Sequence, residues 1–197
     1  MSKAEKTRQF IIEKTAPIFN TKGYAGTSIT DLTEATGLTK GSIYGNFTNK
    51  DEVALAAFDH NLKCMNTAVR EQMDDQKTAK EKLLVYVRVY ENFLYAPFPK
   101  GGCPILNTST EADDTHPGLR QRAADAIESW KNLLSDIIKR GIADKEFKNN
   151  IEPEHIAISL IALIEGGIMI GKVTGKLHYR KAIMESITKM IENVGLL

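Results

Sequence analysis

Between positions 39 and 50 the chain carries Thr39, Lys40, Ser42, Tyr44, Asn46 and Lys50, with glycine at position 41. Hydroxyls, a phenol, an amide and two ammonium groups are all hydrogen-bond donors, and the ammoniums add positive charge. Such a set suits a polyanion. Ammonium and phenol groups donate to phosphate oxygens, while hydroxyls and amides can also meet base edges. Gly41, lacking a side chain, lets the backbone come close to a partner. Upstream, Thr27 and Ser28 contribute two more hydroxyls.

Other chemistry is not spelled out. The four histidines (His60, His116, His155, His178) are scattered without metal-ligand spacing, so no metal site is expected. No nucleophile–base pair or glycine-rich phosphate loop stands at a telling spacing, so neither catalytic residues, a cofactor nor an enzyme is expected. Two cysteines, Cys64 and Cys103, are too few to staple 197 residues. They point to a reducing, cytoplasmic setting. The polar start has no signal-peptide core behind it, and the apolar run from Ile156 to Ile170 is broken by Glu165. That run reads as too short for a membrane span of ~20 apolar residues, so no membrane partner is expected.

The elements that must hold the donors in place are helical. Apolar residues recur at helical spacing almost throughout, and alternating strand patterns are missing. About nine helices and an all-α fold are expected. Arg8 to Asn20 reads as one helix, with a kink expected at Pro17. Thr27 or Ser28 can cap a short helix carrying Ile29, Leu32 and Ala35, closed by Gly37. A second short helix follows from Thr39 to Phe47, with Ile43 and Phe47 as buried anchors. A short helix, a glycine turn and a second short helix make the layout of a helix-turn-helix, whose second helix can enter a DNA major groove.

Charge agrees with that reading. Lys plus Arg number 26 against 25 Asp plus Glu, a net +1 that argues against a general nucleic-acid coat. Residues 1–50, however, hold seven basic and four acidic residues, leaving residues 51–197 with a net −2. The basic surplus coincides with the helix-turn-helix.

The stretch from Gly23 to Val53 closely resembles the DNA-binding domain of tetracycline-repressor-like (TetR family) transcriptional regulators. The resemblance rests on Gly23-Tyr24, Thr27-Ser28-Ile29, Gly37-Leu38-Thr39-Lys40-Gly41-Ser42, Tyr44, Phe47 and Lys50-Asp51-Glu52. It implies a three-helix DNA-binding domain over residues 1–50 and a helical ligand-binding and dimerisation domain over 51–197. It further implies that Thr39, Lys40, Gly41, Ser42 and Asn46 face bases or phosphates, while Thr27, Ser28, Tyr44 and Lys50 hold the DNA backbone. The implied function is a ligand-responsive regulator, expected to be a repressor that releases a palindromic operator in double-stranded DNA when a small-molecule inducer binds. Gly45 stands where many relatives carry a larger residue.

Past residue 60 the reading comes from the residues. Ile156, Ala157, Ile158, Leu160, Ile161, Leu163, Ile164, Ile168 and Ile170 leave a helix almost no polar face, so it must be covered on all sides. A homodimer through the last two helices, about 153–173 and 179–195, is the expected cover; burial within one subunit is the alternative. Gly166, Gly167 and Gly171 allow close helix approach. Candidate inducer contacts are the aromatics Tyr86, Tyr90, Phe93 and Trp130, the polar pair Asn107 and Glu111, Cys103, and Glu165. Cys103 sits at an expected helix start, where a thiol can be activated. An oxidant- or electrophile-sensing role through Cys103 is therefore an alternative, as is a helical binding module without DNA function.

Overall fold

In the computed structural model, which describes residues 2–91 and 98–195, nine helices and no named strand are present among the described residues. They group into two compact units. Residues 2–65 with 98–125 form the first, and residues 66–91 with 126–195 the second. The first unit is thus larger than the 1–50 domain expected from the sequence, because residues 98–125 fold back onto it.

The first unit is built around α1 (Lys3–Gly26), which packs against α2 (Ile29–Thr36) and α6 (Pro104–Ala112). Helix α1 starts on a capping box: Ser2 Oγ accepts from the Glu5 amide at 3.2 Å, and the Glu5 carboxylate accepts from the Ser2 amide at 2.7 Å. Pro17 keeps helical torsion angles, and the break in α1 comes instead at Gly23, with φ 74° and ψ 176°. Proline lacks only the N–H that would reach back to Glu13, and a single missing bond can be absorbed. Gly23 takes a backbone shape that L side chains avoid, and an added Cβ would strike the Glu111 carboxylate.

Helix α2 is capped at both ends as expected. Ser28 and Asp31 form a capping box, and Gly37 closes the helix in the left-handed region at φ 67°. Helix α3 (Lys40–Tyr44) is shorter than the expected Thr39–Phe47, with Thr39 as its N-cap. The core beneath comprises Ile11, Ala16, Phe19, Leu32, Ile43, Phe47, Val53, Ala57 and Phe58. Helix α4 (Lys50–Met73) begins where the Asn49 side chain accepts from the Glu52 amide at 2.9 Å.

In the second unit, α5 (Ala79–Glu91), α8 (Pro153–Thr174) and α9 (Leu177–Val194) pack on one another. The later part of α7 (Pro117–Ala143) belongs here too. Gly141 does not end α7, as its sequence position suggested. It lies inside the helix, where Phe147 presses so close that no Cβ would fit. The left-handed turn residue is Lys145, at φ 59°.

Helix α8 is longer than the apolar run suggested. At 22 residues it is long and apolar enough to cross a membrane, which corrects the sequence-based length argument. One side of it, with Ala157, Leu160, Ile161, Ile164, Gly167, Ile168 and Gly171, is buried. Gly167 lies against Ile183, and Gly171 against Arg180, both on α9. The other side leaves Ile158, Leu163, Met169 and Val173 exposed, Val173 at 79%.

Candidate nucleic-acid interface

Helix α3 is only five residues long, too short to be stable alone. Its place is fixed from below by Ile43 and Phe47, exposed by 0% and 2%. With those anchors inward, Thr39, Lys40 and Gly41 lie exposed at its N-terminal turn. Thr39 Oγ accepts from the Ser42 amide at 3.1 Å, so this hydroxyl also serves as the helix cap. Lys40 Nζ lies 5.9 Å from the centre of the Tyr44 ring, a cation–π approach that keeps the ammonium beside the phenol. Asn46 donates to the Ser42 carbonyl at 2.9 Å. The turn thus presents the Lys40 ammonium, the exposed Gly41 backbone and the hydroxyls of exposed Thr39 and half-buried Ser42, a polar surface suited to phosphate and base edges.

The remaining residues of the set have structural employment. Thr27 is 1% exposed, and its hydroxyl donates to the Gly23 carbonyl at 2.6 Å. Ser28 is exposed, although its hydroxyl takes part in the α2 capping box. Lys50 donates to the Thr27 carbonyl at 2.7 Å, with its ammonium 4.2 Å above the Tyr24 ring. The Tyr24 hydroxyl donates to Asp51, and this bond to a carboxylate, aided by burial, pushes the phenol up to about 12. The Tyr24 ring meets His116 edge-on at 4.6 Å. Asp51 and Glu52 stand in the first turn of α4, where acids favour a helix start as their sequence position suggests, but their partners Tyr24 and Arg8 lie too far along the chain for spacing to reveal.

Three residues read as inducer contacts, Cys103, Asn107 and Glu111, also lie in this unit. Asn107 Nδ2 donates to the Asn20 and Gly101 carbonyls, each at 3.0 Å. The Glu111 carboxylate accepts from the Tyr24 and Ala25 amides, each at 2.8 Å. Their polar atoms tie α6 to the end of α1. A cavity of about 20 Å³ beside them, lined in part by Asn20, Tyr24, Asn61 and Glu111, is the size of a water molecule. Cys103 is 0% exposed, and its Sγ lies 3.8 Å from Met65 Sδ. Burial removes the access an oxidant needs, whereas Cys64 is half-buried, 3.6 Å from His60 Nε2.

In the second unit, Trp130 stacks on Tyr90 (centroids 5.4 Å, planes 10° apart) and on Tyr86 (5.8 Å, 27°). Burial raises the Tyr86 phenol above its ordinary range. Glu165 is half-buried on α8, and Phe93 lies outside the described residues.

A family model described as "Bacterial regulatory proteins, tetR family" matches residues 11–57, and "Tetracyclin repressor-like, C-terminal domain" matches residues 79–187. The chain belongs to the TetR family. A TetR-family transcriptional regulator from Cytophaga hutchinsonii has the same fold at a TM-score of 0.97 and 51% identity, covering 100% of this chain and 98% of its own. Another, from Chloroflexus aurantiacus, matches at 0.94 and 32% identity over the whole of both chains. The transcriptional repressor DhaR of Mycobacterium sp. strain GP1 is 23% identical over 95% of this chain and 96% of its own. The chain is therefore a TetR-family DNA-binding regulator, and α2–α3 is its helix-turn-helix.

Proposed function

We propose that this regulator is a homodimeric repressor that leaves a palindromic operator when a small-molecule inducer binds. The observation that carries the DNA-reading role is the exposure of Thr39, Lys40 and Gly41 on a helix anchored by buried Ile43 and Phe47. Lys40, Gly41, Ser42 and Tyr44 are the proposed direct contacts. Thr39 and Asn46 shape the same turn, while Thr27, Ser28 and Lys50 support it. Two five-residue reading helices spaced about one DNA turn (~34 Å) would give each half-site its own reader.

The exposed side of α8 supports the dimer. Ile158, Leu163, Met169 and Val173 make an apolar face that water does not favour, and a second copy pairing through α8 and α9 covers it. Cover by a partner subunit also suits a membrane-length helix in a DNA-binding protein. At fold level, two neighbours support the other partners: CifR, 19% identical, was solved with a 26-bp operator, and Bacillus subtilis FadR, 20% identical, with stearoyl-CoA.

The Tyr86, Tyr90 and Trp130 stack is the proposed inducer-binding wall. Asn107 and Glu111 are better read as positioning residues for the reading head, because their polar atoms are engaged there. An inducer acts only by favouring a spacing of the two heads that misfits the operator. A gel-shift titration on the DNA upstream of its own gene tests the proposal: a discrete complex that a scrambled duplex cannot compete away supports it, and equal competition by the scramble overturns it.

A further inference from the structure

Arg8 lies outside the residues matched by the family's DNA-binding model, which begin at position 11. It nevertheless reaches 38 positions along the chain to the far end of the reading helix. One guanidinium nitrogen, Nη1, donates to the Asn46 carbonyl, two residues beyond α3. The other, Nη2, pairs with Glu52 Oε1 at 2.7 Å. The guanidinium itself lies 4.0 Å from the centre of the ring of Phe47, the buried anchor. Glu52 completes the cluster, since its second oxygen accepts from the Thr48 amide at 2.6 Å.

We propose that Arg8 is a positioning residue for DNA reading: it fixes the C-terminal end of α3 against α1 and α4 while making no phosphate contact itself. At the end of α3 the Gly41, Ser42 and Ile43 carbonyls accept from the Gly45 amide, the Asn46 side chain and the Phe47 amide, and just beyond them the Asn46 carbonyl is met from α1 by Arg8. A cation donating just past that end satisfies one carbonyl and opposes the negative end of the helix dipole. Only arginine can do this while pairing with a carboxylate and stacking on a ring, because its planar fork donates in two directions at once. Lysine keeps the charge but offers a single point of attachment. With Nη1 on the Asn46 carbonyl and Nη2 on Glu52, the half-buried guanidinium is directed at the helix it supports.

Small errors in the tilt of α3 damage base-edge contacts more than backbone contacts, since base readout needs strict geometry and charge attraction does not. Loss of Arg8 should therefore lower specificity while leaving the salt dependence of binding intact. This inference rests on the DNA-reading role proposed above, and its failure can be told apart from failure of that role.

The full-length protein is first used to enrich duplexes from a random library. Affinity for the enriched duplex and for a scrambled one of equal length is then measured against KCl for the wild type and Arg8→Lys. The expected result is a loss on the order of tenfold on the enriched duplex, less than about twofold on the scramble, and an unchanged slope of log K against log salt. In Arg8→Gln, measured alongside because it removes the charge, a slope smaller by about 0.9 would make Arg8 a phosphate contact and overturn the proposal. So would, in Arg8→Lys, an equal loss on both duplexes, or wild-type affinity on both. If thermal melting shows Arg8→Lys unfolded at the assay temperature, Glu52→Gln reads the same cluster from its other end. It should lose the same specificity ratio, and retention of the wild-type ratio overturns the proposal. A wild-type protein that enriches no sequence overturns the DNA-reading role and this inference with it, whereas failure in the variants alone overturns only the inference.

Discussion

Glu111 holds the backbone of Tyr24: its carboxylate accepts the Tyr24 amide at 2.8 Å, and its second oxygen accepts the neighbouring Ala25 amide at the same distance. These amides follow the Gly23 break in α1, so one side chain of α6 caps the turn that leads into α2. Glu111→Ala takes the carboxylate partner from one part-buried and one exposed amide, at a cost of about 0.5–1.5 kcal/mol since water can reach them. The expected outcome is a lower melting temperature by circular dichroism together with weaker operator binding.

Gly23→Ala should be worse than an ordinary surface change. It forces an L residue to φ 74° and drives a Cβ against the same Glu111 carboxylate. The conformational part alone costs about 1–3 kcal/mol, because φ 74° with ψ 176° is a region essentially reserved to glycine. The double variant Gly23→Ala with Glu111→Ala should lose less than the sum of the two single losses, because the clash partner is gone. Additive losses in thermal melts would contradict this account of the break.

Acid should loosen the reading head through Glu52. The Thr48 amide first, and Arg8 second, hold its carboxyl down from the ordinary 4.5 to about 2. A depressed folded-state value favours the ionised form in the fold. The stabilisation is therefore complete above about pH 4.5 and is lost as pH falls towards 2. Lys22 and Ser28 likewise lower Asp31, at the start of α2. The melting-temperature gap between wild type and Glu52→Gln should be widest near neutral pH and narrow on acidification. A constant gap would contradict the assignment.

Alkylation should separate the two thiols. Under native conditions iodoacetamide is expected to label half-buried Cys64 well before fully buried Cys103, as read by mass spectrometry. Prior labelling of Cys103 would restore the thiol-sensing alternative.

A charge on the open side of α8 should split the dimer. Leu163→Asp and Met169→Asp each place a carboxylate on exposed apolar positions, which should leave the monomer folded. Sedimentation equilibrium is expected to show a shift from dimer to monomer, and an unchanged mass would contradict pairing through this face.

The helix-turn-helix was legible because its signals are local. The α2 cap (Ser28, one of the two hydroxyls offered), the Gly37 terminator and the Ile43 and Phe47 anchors all act within a few residues of where they stand, whereas Thr39, read as the first residue of the second helix, is its cap. What stayed hidden depends on distant partners. The basic surplus of residues 1–50 pointed to the right domain, yet Arg8 and Lys22 meet Glu52 and Asp31, and Lys50 meets Thr27. Asn107 and Glu111 share a helical face, but spacing alone could not show that the face meets the α1 backbone. Pro17 drew attention as the breaker, whereas Gly23 breaks α1 because Glu111 stands beside it. The nearly continuous apolar run of α8, interrupted by Glu165, was legible in composition, but only packing separates its covered side from its open one.

The central claim, that the exposed turn of α3 binds DNA through Lys40, is tested most directly by the salt dependence of affinity for the DNA upstream of its own gene. Fluorescence anisotropy across about 50–200 mM KCl should give a steep fall for the wild type. Lys40→Ala should bind more weakly at each salt concentration, with a slope smaller by about 0.9. Wild-type affinity and slope in Lys40→Ala would contradict it.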